Sequence, residues 1–295
     1  MKFDRTGRRK LWSLAMSAIT AACAIAILIP LGDIIYQAAL LGGPTLSFSV
    51  LTAGLPQPCS VPVNGVPCAV GGIGPALQGT GILVGLAALV SVPIGLAAAI
   101  FAVEYRGRFL GTAISFTADV LTGVPSVIAG VFIYAYFVIY DPALVFSVIT
   151  GTLALSVIMI PIVTRTCEEA LRTVPHAVRE AALALGIPKW RTTLQIVVVS
   201  ALPAILTGIL LSVMRAAGEA APLLFTAFGS RLGFEGFNNP IEALPLLIYN
   251  FAESASNNWI HLAWAAALIL IILILITNIL SRLTIARMVR RMRGE

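Results

Sequence analysis

Six apolar stretches, each long enough to cross a bilayer, dominate this sequence: 11–36, 82–103, 111–140, 143–163, about 201–228 and about 260–280. A spanning helix needs about 20 mostly apolar residues. The runs are unbroken, whereas barrel strands alternate apolar and polar positions over about 10 residues. The expected fold is therefore all-α, a polytopic membrane bundle of six transmembrane helices. The third stretch is long enough to tilt or to hold an interfacial turn. Only 11% of the residues are charged, against roughly 25% in a soluble domain. Such a chain has too little polar surface to cover a soluble globule, which excludes an ordinary cytosolic enzyme, a disordered chain and a disulfide-stapled miniature domain.

The net charge of +6 would suit a nucleic-acid binder, but its placement argues otherwise. Lys2, Arg5, Arg8, Arg9 and Lys10 precede the first stretch; Arg106 and Arg108 separate the second from the third. Arg165, Arg172, Arg179, Lys189 and Arg191 separate the fourth from the fifth; Arg282, Arg287, Arg290, Arg291 and Arg293 follow the sixth. These are 17 of the 19 basic residues, all on one side of a six-span alternation. Basic loops stay cytoplasmic, so both termini are expected inside a plasma (inner) membrane, with no nucleic-acid partner. The opposite side holds Arg231 against Asp33, Asp141, Glu235, Glu242 and Glu253. Signal-peptide cores are shorter, about 7–15 residues, so the first stretch is read as an uncleaved span.

The outer segment 37–76 has no charged residue and is rich in Gly and Pro. Cys59 and Cys68 bracket Asn64-Gly65, a strong tight-turn signal. In an oxidising compartment a Cys59–Cys68 disulfide is expected. Cys23 and Cys167 are expected to be reduced. Residues 244–251 are expected to form a short interfacial helix, and Pro125, Pro161 and Pro222 to kink the third, fourth and fifth spans.

Catalytic and phosphate-cradling signatures are missing from the sequence. None of the three lysines follows a glycine, so there is no phosphate-binding loop for ATP. His176 and His261 have no Cys or carboxylate partners at metal-ligand spacing, and no metal or cofactor is expected in this chain. Energy for active transport would come from a gradient or from a partner.

Between the fourth and fifth spans the sequence reads Pro175-His-Ala-Val-Arg-Glu180-Ala181-Ala182-Leu-Ala-Leu-Gly186-Ile-Pro188. Pro175 suits a helix start and Gly186-Ile-Pro188 a helix stop. Ala181 and Ala182 leave one side bare for close approach; a solvated connector is the other reading. Glu180-Ala181-Ala182-x-x-x-Gly186 resembles the coupling loop of ABC-importer permeases. In that family the loop is a short helix docked in a groove of the ATP-hydrolysing subunit. The pattern continues as Ile-x-Leu-Pro; here Ile196 is in place, but Val198 and Val199 stand at the Leu-Pro positions. That departure leaves open a helix break before the fifth span.

Arg215-Ala-Ala-Gly-Glu219-Ala-Ala-Pro222-Leu-Leu-Phe-Thr226 is similar to the fifth-span signature of phosphate-import permeases, in its PstA-type rather than PstC-type form. The segments 93–105, Gly123-Val-Pro125-Ser126 and 258–265 are similar to the same group. The resemblance implies a type I importer permease with a basic N-terminus (1–10), a first helix and outer loop (11–78), a permease domain (79–283) with coupling loop 173–191, and a basic tail (284–295). It implies a PstC-type sister permease, two ATP-hydrolysing subunits that hold ATP and Mg, an extracytoplasmic phosphate-binding protein, phosphate itself and membrane lipid as partners. It also implies that the chain is a transport subunit and not an enzyme.

Residues four apart lie about 6 Å up one helix face, which would pair Arg215 with Glu219. A mid-membrane charge costs about 2.5–3.5 kcal/mol even on the lenient scale, so both should face protein or water. Arg suits an oxyanion through its bidentate fork, and Glu219 would hold it between anions. Arg215, Glu219 and Asp119 are therefore the candidate pathway residues. The rival is a permanent Arg215–Glu219 or Arg215–Asp119 pair locking helices together. Rival functions are import of sulfate or molybdate, a gradient-driven transporter and a multi-span membrane enzyme.

Overall fold

The computed structural model describes residues 5–56 and 71–293. Cys59 and Cys68, the expected disulfide pair, lie outside the described residues. Among those residues the regular structure is helical apart from an isolated β-bridge between Phe228 and Ile241.

The first helix, α1 (Arg5–Gln37), buries none of its most apolar stretch against the rest of the chain. It joins the bundle at its end, where the π-helical turn Ala38–Gly42 lies on the last helix, α12 (Asn257–Arg293). A Cβ on Gly42 would come within 2.6 Å of the Trp264 backbone, so only glycine allows that approach. A short α2 (Phe48–Thr52) follows, with Ser47 as its N-cap.

The spine of the bundle is α3 (Gly74–Glu104) packed along α6 (Val148–Arg172). Leu83 meets Gly151, Ser91 Oγ donates to the Ser156 carbonyl at 3.4 Å, and Gly95 seats Val163. Residue numbers rise together along both helices, so they run parallel, and the chain between them must cross back. It does so as α4 (Phe109–Thr122) and α5 (Ser126–Tyr140), bent by 101° at the intervening residues. Proline bars the preceding residue from helical geometry and lacks an N–H, so Val124-Pro125 breaks the helix. α4 lies on the far half of α6, with Ser115 bonded to Glu168, and α5 on the near half, with Ile133 and Phe137 around Ala154. The bent pair thus makes one crossing. With the five single helices long and apolar enough to span, it brings the crossings to six, and the third is broken rather than tilted.

Ser147 and Thr150 form a capping box at the start of α6, and the Ser147 and Val148 N–H groups donate to the carbonyls of Thr226 and Asn239 at 3.1 Å. α6 continues through Pro161 to Arg172 instead of ending near 163. Its polar residues Arg165 and Glu168 find partners on and beside α4, so no water-facing loop is needed there.

After α7 (His176–Ala184), helix α8 (Lys189–Arg191), a π-helical stretch (Thr192–Val197) and α9 (Val198–Ala217) form one continuous helix. The departure at Val198-Val199 therefore brings no break; the chain widens by a π turn instead. The fifth span does break at its other end. α9 stops at Gly218, and α10 (Ala221–Thr226) starts afresh with Pro222 in its first turn. Pro222 opens a helix rather than kinking one. The short helix expected over 244–251 forms as α11 (Leu244–Ala252), with Leu244, Leu246, Leu247 and Phe251 buried and Leu244, Leu247 and Phe251 packed on α12 residues. Cys23 is exposed on α1 and Cys167 buried on α6, both as free thiols.

Candidate functional site

A cavity of about 510 Å3 opens where α4 and α5 meet. Gly123, Pro125 and Ser126 form its rim at the bend, Ile158 and Ile162 its α6 wall, and Arg215 projects into it from α9. α9 runs antiparallel to α6: Ala201 and Ile205 pack near Cys167 and Ala170, Gly208 on Thr166, and Ala216 near Met159. Arg215 is therefore level with the middle of α6.

Arg215 and Glu219 come together, but not on one helix face. Arg215 is in the last turn of α9, and Glu219 lies beyond the cap, its N–H on the Ala216 carbonyl at 3.2 Å. Arg215 Nε stands 3.6 Å from Glu219 Oε1, with the side chains 57% and 18% exposed. That separation is an ion pair outside hydrogen-bond range. No other carboxylate among the described residues pairs with Arg215, so its fork stays open to an oxyanion.

The bend adds a second electropositive feature. The Val120 and Leu121 carbonyls at the end of α4 accept from the Gly123 and Val124 N–H groups at 3.1 and 3.2 Å, so the negative end is capped. The first N–H groups of α5, at Ser126 and Val127, have no intrahelical acceptor. An open N-terminus carries roughly half a positive charge, and Ser126 lines the cavity.

Asp119 does not join Arg215. Its carboxylate meets Arg165 Nε at 2.6 Å, and Arg165 also bonds Glu168 at 2.8 Å. Glu168, fully buried, further accepts from Ser115 at 2.8 Å and from Arg172. This α4–α6 network was not read from the sequence. The i, i+3 and i, i+4 spacing of Arg165, Glu168 and Arg172 on a lengthened helix was its signal.

α7 forms as expected, and Gly186 ends it in a Schellman cap. Its φ is +78°, the Gly186 N–H donates to the Leu183 carbonyl at 2.9 Å, and the Ile187 N–H donates to the Ala182 carbonyl at 3.2 Å. Glu180 and Ala181 are exposed, but Ala182 is buried, on the element that packs against the 192–197 stretch. Only Ala181 of the two alanines is bare to an outside surface. One helix face cannot hold adjacent residues, which the expectation of a paired bare side overlooked.

Arg179 on α7 bonds Glu104 at the end of α3 and the Leu171 carbonyl at 3.2 Å. Lys189 Nζ reaches the Glu104 carbonyl at 3.2 Å and lies 4.7 Å from the centroid of the Tyr105 ring. These bonds tie both ends of the loop to α3.

At the opposite end, Glu242 is 6% exposed and faces a cavity of about 230 Å3 with Arg231, Asn250 and Trp259. Burial pushes its carboxyl up to about 7, against the lowering effect of the Ala243 N–H at 3.1 Å and of Arg231.

Comparison with known proteins places the chain. Residues 91–293 match the family of binding-protein-dependent transport system inner membrane components. The phosphate transport system permease protein PstA of Xylella fastidiosa is 41% identical over 218 residues, 74% of this chain and 76% of that protein. PstA of Haemophilus influenzae is 39% identical over 244 residues, 82% of each chain. Among solved structures, a bacterial alginate ABC transporter chain superposes with a TM-score of 0.65 at 13% identity, covering 94% of this chain and 96% of that one. A chain of the MetNI methionine ABC transporter gives 0.54 at 17% identity over 72% and 93%. At such identities the structures speak for the fold alone, a type I importer permease. The chain belongs to the binding-protein-dependent transport system inner membrane components, alongside the PstA permease proteins.

Proposed function

We propose that this chain is the membrane-spanning permease subunit of an ATP-driven importer of inorganic phosphate and supplies half of its translocation pathway. The observation that carries this reading is Arg215, held loosely by Glu219 in a mid-bundle cavity that also receives the open N-terminus of α5. A water in the liquid occupies about 30 Å3, so about 510 Å3 admits an oxyanion with several waters. The phosphate transport assigned to the PstA relatives supports the choice of anion.

Glu219 takes Arg215 back as the anion leaves, which keeps binding from becoming a trap. Asp119 enters as the group that holds Arg165, beyond Ile162 on α6, at the inner mouth. The basic end is cytoplasmic, with both termini there. The ATP-hydrolysing subunits, which hold ATP and Mg, dock on α7 through Glu180 and Ala181, with Ala182 and Gly186 fixing its seat. Their closure moves α7, and the Glu104–Arg179 pair passes the motion to α3, which packs along α6. A sister permease completes the pathway, and an extracytoplasmic binding protein delivers phosphate at the other end. This chain breaks no covalent bond.

Labelled-phosphate uptake by the assembled transporter tests the reading. Excess unlabelled phosphate is expected to suppress uptake, and sulfate or molybdate to leave it within two-fold. Equal competition by sulfate or molybdate would reassign the substrate to oxyanions at large.

A further inference from the structure

Two grooves flank Phe101 and Tyr105 at the basic end. The larger, about 600 Å3, lies between the last two turns of α3 and the start of the Lys189–Ala217 helix. The smaller, about 440 Å3, reaches Arg108, Phe109 and Leu110. In the larger groove Ala97, Ile100, Phe101 and Glu104 follow helical spacing along α3, and Trp190, Thr193 and Leu194 form the facing wall. Ala97 to Glu104 covers about 10 Å at the helical rise. Over that length the lining changes from Ala97, Ile100 and Leu194, nearest the middle of the bundle, to Tyr105, Trp190 and Lys189 at its end.

The rim keeps a surplus of positive charge. Glu104 pairs with Arg179 and, through Oε2 at 3.7 Å, with Lys189, whose three donors are not used up by these contacts and the Glu104 carbonyl; Arg108 and Arg191 have no carboxylate partner among the described residues. Arg108 lies 5.5 Å from the centroid of the Tyr105 ring and Arg191 lies 5.1 Å from that of Trp190. An apolar floor thus ends under a cationic and aromatic rim, in the order in which a leaflet runs from acyl chain to headgroup. Trp and Tyr favour the headgroup level, and basic residues near a membrane surface attract anionic lipid.

We propose that the larger groove binds one anionic phospholipid, its acyl chain along Ala97, Ile100 and Leu194 and its phosphate at Lys189, with Arg108 in the adjoining groove adding to the positive field. Free phosphate would have no use for the apolar floor. The lipid braces α3 against the segment that follows α7.

The test uses the assembled transporter, purified in detergent, stripped of lipid and titrated with phosphatidylglycerol or phosphatidylcholine of identical chains under native mass spectrometry. One phosphatidylglycerol is expected to bind about ten-fold tighter than phosphatidylcholine. Lys189→Gln with Arg108→Gln is expected to weaken it roughly five-fold per charge removed, while Lys189→Arg with Arg108→Lys retains it. Ala97→Phe, which fills the floor with the rim intact, is expected to weaken both lipids and decides the matter should the double variant fail to assemble. Equal affinity for the two lipids, phosphatidylglycerol binding unchanged by Ala97→Phe, or displacement of the lipid by millimolar inorganic phosphate would overturn the proposal. So would shielding of Leu194→Cys from maleimide by assembly in lipid-free detergent, since the groove would then be a protein interface.

Discussion

Glu104 at the end of α3 and Arg179 on α7 form an ion pair in which the side chains are only 13% and 15% exposed. It joins α7, on which the ATP-hydrolysing subunits are proposed to dock, to α3, one half of the bundle's spine. Hydrogen bonds to charged groups contribute about 1.5–3 kcal/mol, and more is lost when one partner is left buried. Glu104→Gln or Arg179→Gln is expected to destabilise the loop by about 2 kcal/mol. In the assembled complex, stimulation of ATP hydrolysis by the binding protein should fall several-fold while basal hydrolysis persists. The charge-swapped pair Glu104→Arg with Arg179→Glu should recover part of the stimulation, and absence of any loss in the single variants would remove the pair from the coupling route.

Gly186 holds φ at +78° with no atom within 4 Å of a would-be Cβ, so backbone strain alone opposes a side chain there. Gly186→Ala is expected to cost about 1–2 kcal/mol, and Gly186→Asn less, because Asn tolerates this region. Co-purification of the ATP-hydrolysing subunits should weaken in that order, with membrane levels of the permease unchanged.

Glu242 gives the fold a pH dependence of known sign. Its folded-state pKa is about 7, against an ordinary value of 4.5. Between these values the folded chain binds the proton that the unfolded chain has released, so stability falls as pH rises from about 4.5 to 7 and levels off above. The full effect is on the order of 3 kcal/mol. Thermal unfolding of the complex across this window should show a fall in Tm for the native chain and a flatter profile for Glu242→Gln, which keeps an acceptor for the Ala243 N–H. Parallel profiles would contradict the assignment.

Gly130 lets α5 lie against the start of α10: a Cβ there would come 2.6 Å from Pro222 Cα and 2.8 Å from its carbonyl oxygen. Backbone atoms cannot step aside as a side chain would. Gly130→Ala is expected to cost about 1–3 kcal/mol by overpacking and to lower Tm accordingly. It should also reduce uptake, because α5 carries the open N-terminus at the cavity.

Continuous apolar runs were enough to read six crossings, though not the break within the third. Arg215 and Glu219 stood out because the membrane penalises unplaced charge, and the 180–186 motif stood out by its spacing. Three things were not legible. The end of α6 was hidden because Arg165 and Glu168 look like loop residues until their α4 partners are known. The burial of Ala182 depends on what α7 rests against, which helix spacing alone does not give. The buried Glu242 and the Glu104–Arg179 pair join residues far apart in sequence or set a charge against a fold-dependent surface.

The central claim is that Arg215 handles the transported anion, and it is tested most directly by labelled-phosphate uptake in vesicles holding the assembled complex. Arg215→Gln and Arg215→Lys are expected to lower uptake to background, because Lys lacks the planar fork, while assembly and basal ATP hydrolysis persist. Uptake at the native rate in Arg215→Gln would contradict the account and leave Arg215–Glu219 as a structural pair.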